Sequence, residues 1–257
     1  MTMAPTPRPS FESADSFWDF ERYVKFTARH VLDAKRDRFL RTVLATAVTR
    51  TIVVPKDTQL WRAQLGYGLE EESSLFKRRI AHSYERMVPQ SLRAYEGRVN
   101  PKGIPCLYCS TDMETAIMEV RPWAGSCVSV AKFATLENLR LIHCARDTTP
   151  PETPPNRPVG FPEPPPEERE NEVWFYINRA FSQPATRADD VADYAPTQVL
   201  AEAFRNEGFD GIIYGSALGE GLTYVFFNLC IAECLSCELY EIEGMNLKYS
   251  KYFRWFG

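Results

Sequence analysis

The chain has 257 residues, 44% apolar and 25% charged, the proportions of an ordinary globular protein long enough to bury a sizeable core. A net charge of −4 leaves no basic face for nucleic acid, and no run of about 18 apolar residues exists to span a membrane. Seven cysteines, an odd number, follow a start (MTMAPTPRPSFES) without an apolar secretory core, so reduced thiols in a cytoplasmic protein are expected.

Residues 1–15, rich in Pro, Ser and Thr, read as a disordered tail. From Phe17 to about Val48 the pattern is helical, with Phe39, Leu40, Val43, Leu44, Ala47 and Val48 on one stripe, so residues 16–56 form an N-terminal helical extension. TIVVPKDTQLWRAQ reads as extended segments broken at Pro55, with Leu60 to Gln64 the stronger strand. The turn Asn100 to Gly103 feeds a strand from about Ile104 to Cys109. Thr111-Asp112-Met113-Glu114 then has the spacing of a capping box, predicting a helix that stops before Pro122.

CVSVAKF (Cys127 to Phe133) and LRLIHC (Leu139 to Cys144) are strand-like. Nine of the eighteen residues from Thr149 to Pro166 are proline, which makes 149–166 a surface excursion. Helices follow around Glu168 to Phe181 and from Pro196 to a stop at Gly208. FDGIIYGS and LTYVFFN are strands joined by a loop with three glycines, SCELYEIEG is a last strand, and 246–257 is a C-terminal tail. The irregular alternation predicts an α+β fold with a mixed, largely antiparallel sheet and flanking helices.

Several chemistries are carried by these elements. Cys106/Cys109 and Cys234/Cys237 are CxxC pairs, but they are too far apart for a zinc ribbon. Cys106 and Cys109 also fall on opposite faces of a strand, so buried apolar thiols are the plainer reading. His30 in the N-terminal helix, His82 in a polar helical stretch and His143 in a strand accompany no GxSxG sequence, which argues against a triad hydrolase. YGSALGEG lacks the lysine of a P-loop, although Gly215, Gly219 and Gly221 would let backbone N–H groups approach a phosphate. Glu114 has a structural task in the capping box. Glu119 stands in the last helical turn, against the helix dipole, and suggests a nearby cation: Arg62, Arg98, Arg121 or a cationic ligand.

Taken in order, LWRAQ, EGRVNPKGIPCLYCSTDMETAIMEVRPWAG, VSVAKF and PTQVLAEAFRNEGFDGIIYGSALGEGLTYVFF resemble the RES-domain toxins of bacterial toxin–antitoxin systems over roughly residues 58–243. The family's name-giving Arg, Glu and Ser fall on Arg62, Glu119 and Ser216. Its GRxN arginine is Arg98 and its LYxxS tyrosine is Tyr108, while Thr223 stands where members usually carry Asn. The resemblance implies an ADP-ribosyltransferase-like domain over 57–245 that cleaves the nicotinamide–ribose bond of NAD+, its substrate, without a metal. It also implies a cognate antitoxin of Xre type that blocks the cleft. Neither nucleic acid nor a membrane is an expected direct partner, and a homodimer is a possible assembly.

The chemistry agrees with that implication. Nicotinamide is already a cationic leaving group, so one carboxylate, Glu119, suffices beside the forming oxocarbenium ion. Arg62 and Arg98 suit a pyrophosphate, Tyr108 offers a face to the nicotinamide ring, and Ser216 a hydrogen bond to ribose or phosphate. A protein ADP-ribosyltransferase is the alternative within enzymes. A catalytically silent nucleotide- or partner-binding module is the alternative outside them.

Overall fold

The computed structural model describes residues 9–72, 76–90, 94–151, 162–183 and 191–246. Ten strands occur among them: β1 (Thr51–Val54), β2 (Gln59–Leu65), β3 (Gly68–Glu71), β4 (Lys77–Ile80), β5 (Leu107–Ser110), β6 (Cys127–Thr135), β7 (Leu139–His143), β8 (Gly211–Gly215), β9 (Leu222–Phe226) and β10 (Ala232–Glu241). The helices are α1 (Ser16–Phe26), α2 (Ala34–Ala47), α3 (Tyr84–Met87), α4 (Met113–Glu119), α5 (Pro166–Ser182) and α6 (Ala195–Asn206). No described helix is long and apolar enough to cross a membrane.

Eight strands form one sheet in the order β1-β7-β8-β9-β5-β2-β6-β10, and β3 pairs with β4 in a separate hairpin. Every neighbour pair in the large sheet is antiparallel except β7 and β8. Those two are parallel because α5 and α6 form the crossover between them. The fold is therefore α+β with a mixed, mostly antiparallel sheet.

The sheet has a weak seam. β2 runs beside β6 over its whole length, but it meets β5 at one pair alone, Trp61 opposite Ser110. Two leaves, β1-β7-β8-β9-β5 and β2-β6-β10, thus join at that pair.

Alternation along the strands sends side chains to two faces. On one face Ile142, Ile212 and Val225 pack under Phe20, Phe39, Val43, Trp174, Ile177, Leu200 and Phe204 of the four long helices. Inside that core Trp174 Nε1 donates to Thr46 Oγ1 at 3.0 Å, tying α5 to α2. On the other face Leu107, Cys109, Leu141, Ile213 and Phe226 are covered by Met87 of α3 and by Ile231. Ala116 of α4 makes a third, smaller core with Ala63, Val128 and Val130. Cys106 and Cys109 lie in different cores, on opposite sides of the sheet as strand geometry requires.

Several expectations are corrected. The helical stretch of residues 17–48 is two helices, because Asp33 starts a second one: its Oδ1 accepts from Arg36 N at 2.8 Å. His30 therefore lies in the connection between helices, and His82 lies in the loop before α3, where its backbone N–H donates to Ser129 Oγ at 2.9 Å. Part of the tail expected to be disordered is packed. Phe11, 2% exposed, meets Phe39, and Arg169 Nη1 donates to the Phe11 carbonyl at 2.7 Å. The centre of the proline-rich excursion, residues 152–161, and the tail from 247 lie outside the described residues.

Candidate active site

Helix α4 begins at Asp112, not through a capping box. Asp112 is the N-cap: Oδ1 accepts from Thr115 N at 2.7 Å, and Oδ2 accepts from the hydroxyls of Thr115 (2.9 Å) and Thr111 (3.0 Å). Thr111 cannot cap, because its hydroxyl also accepts from Leu222 N at 3.0 Å, and Glu114 is left exposed. At the other end Arg121 adopts a left-handed backbone (φ 49°) just before Pro122, so the helix stops at Glu119. The last helical side chain is thereby presented at an open end.

Glu119 finds no arginine partner among the described residues. Instead the Ser216 hydroxyl donates to Glu119 Oε1 at 2.6 Å. Ser216 Oγ in turn accepts from Leu218 N (3.1 Å) and Gly219 N (3.0 Å), which commits its proton to the carboxylate. Ser216 thus orients Glu119; an expected bond from Ser216 to ribose or phosphate would have to displace this one.

The glycine loop is held against the same helix. Gly221 N donates to Thr115 Oγ1 at 3.1 Å, and a Cβ on Gly221 would collide with Asp112 and Thr111. A Cβ on Gly219 would sit 2.7 Å from Thr115 Oγ1. These two glycines therefore permit loop–helix packing rather than approach to a phosphate. Gly215 N is fixed from the other side by Asn178 Oδ1 of α5 at 3.1 Å.

Arg62 lies in the seam between the leaves. Its Nη1 donates to the Tyr108 carbonyl at 3.0 Å, where the β2–β5 ladder has ceased. Its Nε is buried with no partner among the described residues, and burial lowers the pKa of the guanidinium. Arg98 reaches the C-terminus of α5, donating through Nε to the Gln183 carbonyl at 2.5 Å with its guanidinium over the Tyr194 ring. Its turn is pinned by Gln198 of α6, whose Nε2 donates to the Gly97 carbonyl at 2.9 Å.

Tyr108 is more engaged than expected. Its hydroxyl donates to Asn100 Oδ1 at 2.7 Å and accepts from Val99 N at 3.2 Å, while the half-buried ring packs on the helix-side core. Burial raises its pKa far above the usual tyrosine range, against the nearby charges of Arg62 and Arg98.

Tyr214, which sequence reasoning did not single out, belongs to the same place. Its ring stacks on Phe181 at 5.7 Å, and burial pushes its phenol well above the ordinary value. Tyr108 and Glu119 add to that rise and Arg98 opposes it. A strand tyrosine two residues before Ser216 was the available signal. The helices bound this region: α4 packs on β2, β5 and β6, whereas α5 and α6 pack on β8. Between the strands that these helices cover lie β9 and the meeting of β5 with it. Among the described residues, no group of three His, Cys, Asp or Glu is arranged to hold a metal ion.

The RES domain family model matches residues 75–244, more than half of the chain. The chain belongs to the RES-domain family. Arg98, Tyr108, Glu119 and Ser216 fall inside the matched range, and Arg62 precedes it. A chain of the crystal structure of the M. tuberculosis MbcT–MbcA toxin–antitoxin complex is similar at 12% identity with a TM-score of 0.44, over 77% of this chain and 92% of that one. No curated protein matches the chain. Within the matched range the Glu119–Ser216 pair stands at the exposed end of α4, and Arg62 lies in the seam of the sheet.

Proposed function

We propose that this protein is the toxin of a toxin–antitoxin system and cleaves the nicotinamide–ribose bond of NAD+. Membership of the RES family supports the class of activity, in line with what the resemblance of the motifs implies. The observation that carries the reading is the Ser216–Glu119 pair, a single carboxylate held by a hydroxyl whose own acceptor sites are filled. Such a carboxylate is pre-set to stabilise an oxocarbenium ion, whose positive charge develops only as the cationic nicotinamide departs neutral. Arg62, charged and with an unsatisfied Nε, suits the dinucleotide's phosphates. An antitoxin would silence this chemistry by covering the exposed end of α4.

Release of free nicotinamide from NAD+ by the purified chain tests the reading, with and without inorganic phosphate to separate phosphorolysis from hydrolysis. Glu119→Gln should lower the rate by about 100- to 1,000-fold with NAD+ binding kept. Glu114→Gln, an exposed change on the same helix, should leave it unaltered. No release by the parent chain, or equal losses in both variants, would overturn the assignment.

A further inference from the structure

Ser110, Thr223 and Tyr214 are successive cross-strand partners on β5, β9 and β8. Directly opposed residues of antiparallel strands project to the same side of a sheet. Their hydroxyls therefore form a row across three strands, on the side that carries α4 and α5. Trp61, opposite Ser110, ends the row at the seam.

The three residues are nearly sealed, at 3%, 4% and 7% exposure for Ser110, Thr223 and Tyr214. No described residue hydrogen-bonds to any of the three hydroxyls, and Thr223 Oγ1 is buried outright without a partner. An unsatisfied buried hydroxyl costs roughly 1–3 kcal/mol. Packing does not explain the row, because two residues along the same strands Val225 and Ile212 fill the equivalent positions with apolar side chains. The row also lies beside the reacting pair: Ser216, which holds Glu119, follows Tyr214 by two residues, and α4 starts two residues after Ser110 at its cap, Asp112.

We propose that Ser110, Thr223 and Tyr214 form the subsite for the carboxamide of the nicotinamide group, an inference that rests on the NAD+-cleaving reading above. A carboxamide offers one acceptor and two donors, and hydroxyls can play either part. The Tyr214 phenol, kept protonated by its buried setting, donates to the amide oxygen. Thr223 and Ser110 accept from the amide nitrogen. A carboxylate in the same place has no proton to give and would face Glu119 at like charge. The subsite therefore selects amide over acid.

Free nicotinamide is the probe, titrated into the full chain and its Thr223→Val and Thr223→Ser variants by ligand-observed NMR, with benzoate as the charged comparison. Thr223→Val should weaken nicotinamide about tenfold, the equivalent of one hydrogen bond, whereas Thr223→Ser restores it and benzoate fails to compete. Thr223→Val should also melt no lower than the parent, because a methyl replaces a hydroxyl that the protein itself leaves unpaired. Unchanged nicotinamide affinity in Thr223→Val, or a clear loss of melting temperature, would overturn the assignment. Ser110→Ala repeats the binding test on the second acceptor of the row, and it too should weaken nicotinamide. A chain that binds nicotinamide through Thr223 but never consumes NAD+ would sink the enzymatic reading and leave the subsite standing. NAD+ turnover with binding indifferent to Thr223 would do the reverse.

Discussion

Ser216 and Glu119 act as one unit, since Leu218 N and Gly219 N fill the acceptor sites of the serine oxygen and its proton goes to the carboxylate. A hydrogen bond to a charged group is worth roughly 1.5–3 kcal/mol, so Ser216→Ala should reduce kcat by about 10- to 100-fold. KM for NAD+ should hardly move, because the loss falls on the orientation of the carboxylate and not on binding. A variant with raised KM and intact kcat would instead make Ser216 a substrate contact. The identities of Glu119, Ser216, Arg62, Arg98 and Tyr108 were legible as motifs. Their mutual bonds were not, because the partner of a turn serine is decided 97 residues away by how β8 and α4 meet. Tyr214 and the unpaired Thr223 hydroxyl became meaningful only through strand register, which no local pattern reveals.

The element that matters most is α4, seven residues long and too short to persist without its cap. The sequence spacing pointed to a cap of Thr111 with Glu114, and the structure instead forms one of Asp112 with Thr115. The second prevails because Thr111 is engaged by the strand that follows the glycine loop. Burial raises the Asp112 carboxyl pKa, but the Thr115 N–H and the Thr115 and Thr111 hydroxyls outweigh it and leave the group below its ordinary value. A depressed carboxylate contributes stability that is present above the unfolded pKa and lost as pH falls through the folded one. Asp112→Ala should therefore destabilise the fold by about 1–2 kcal/mol at neutral pH. The gap should narrow below about pH 4. Urea melts at both pH values check this, and a gap independent of pH would show that the charge contributes nothing. The β3–β4 hairpin escaped sequence reading because GLEE and KRRI carry no alternation of apolar and polar residues.

For the molecule as a whole, the α+β class followed from the mixture of periodicities, whereas the strand order could not, since β2 sits between strands far removed in sequence. That order creates the seam, and at the seam Arg62 reaches the Tyr108 carbonyl. The helical layer over the opposite leaf is shared between the two ends of the chain. Phe17, Phe20, Val24, Phe39, Val43 and Ala47 lie in one core with Trp174, Leu200, Phe204 and Ile212, and Thr46 accepts the Trp174 indole proton. Each large apolar side chain taken from such a core is worth about 1.5–3 kcal/mol, against a total stability of roughly 5–15 kcal/mol. Removing residues 1–47 should therefore leave a chain that does not fold, even though the RES match begins only at residue 75. Near-UV circular dichroism of the truncated chain measures this directly, through the packing of Trp174. A truncated protein with the parent's aromatic spectrum and a melting point close to the parent's would show that α1 and α2 merely decorate a self-sufficient core.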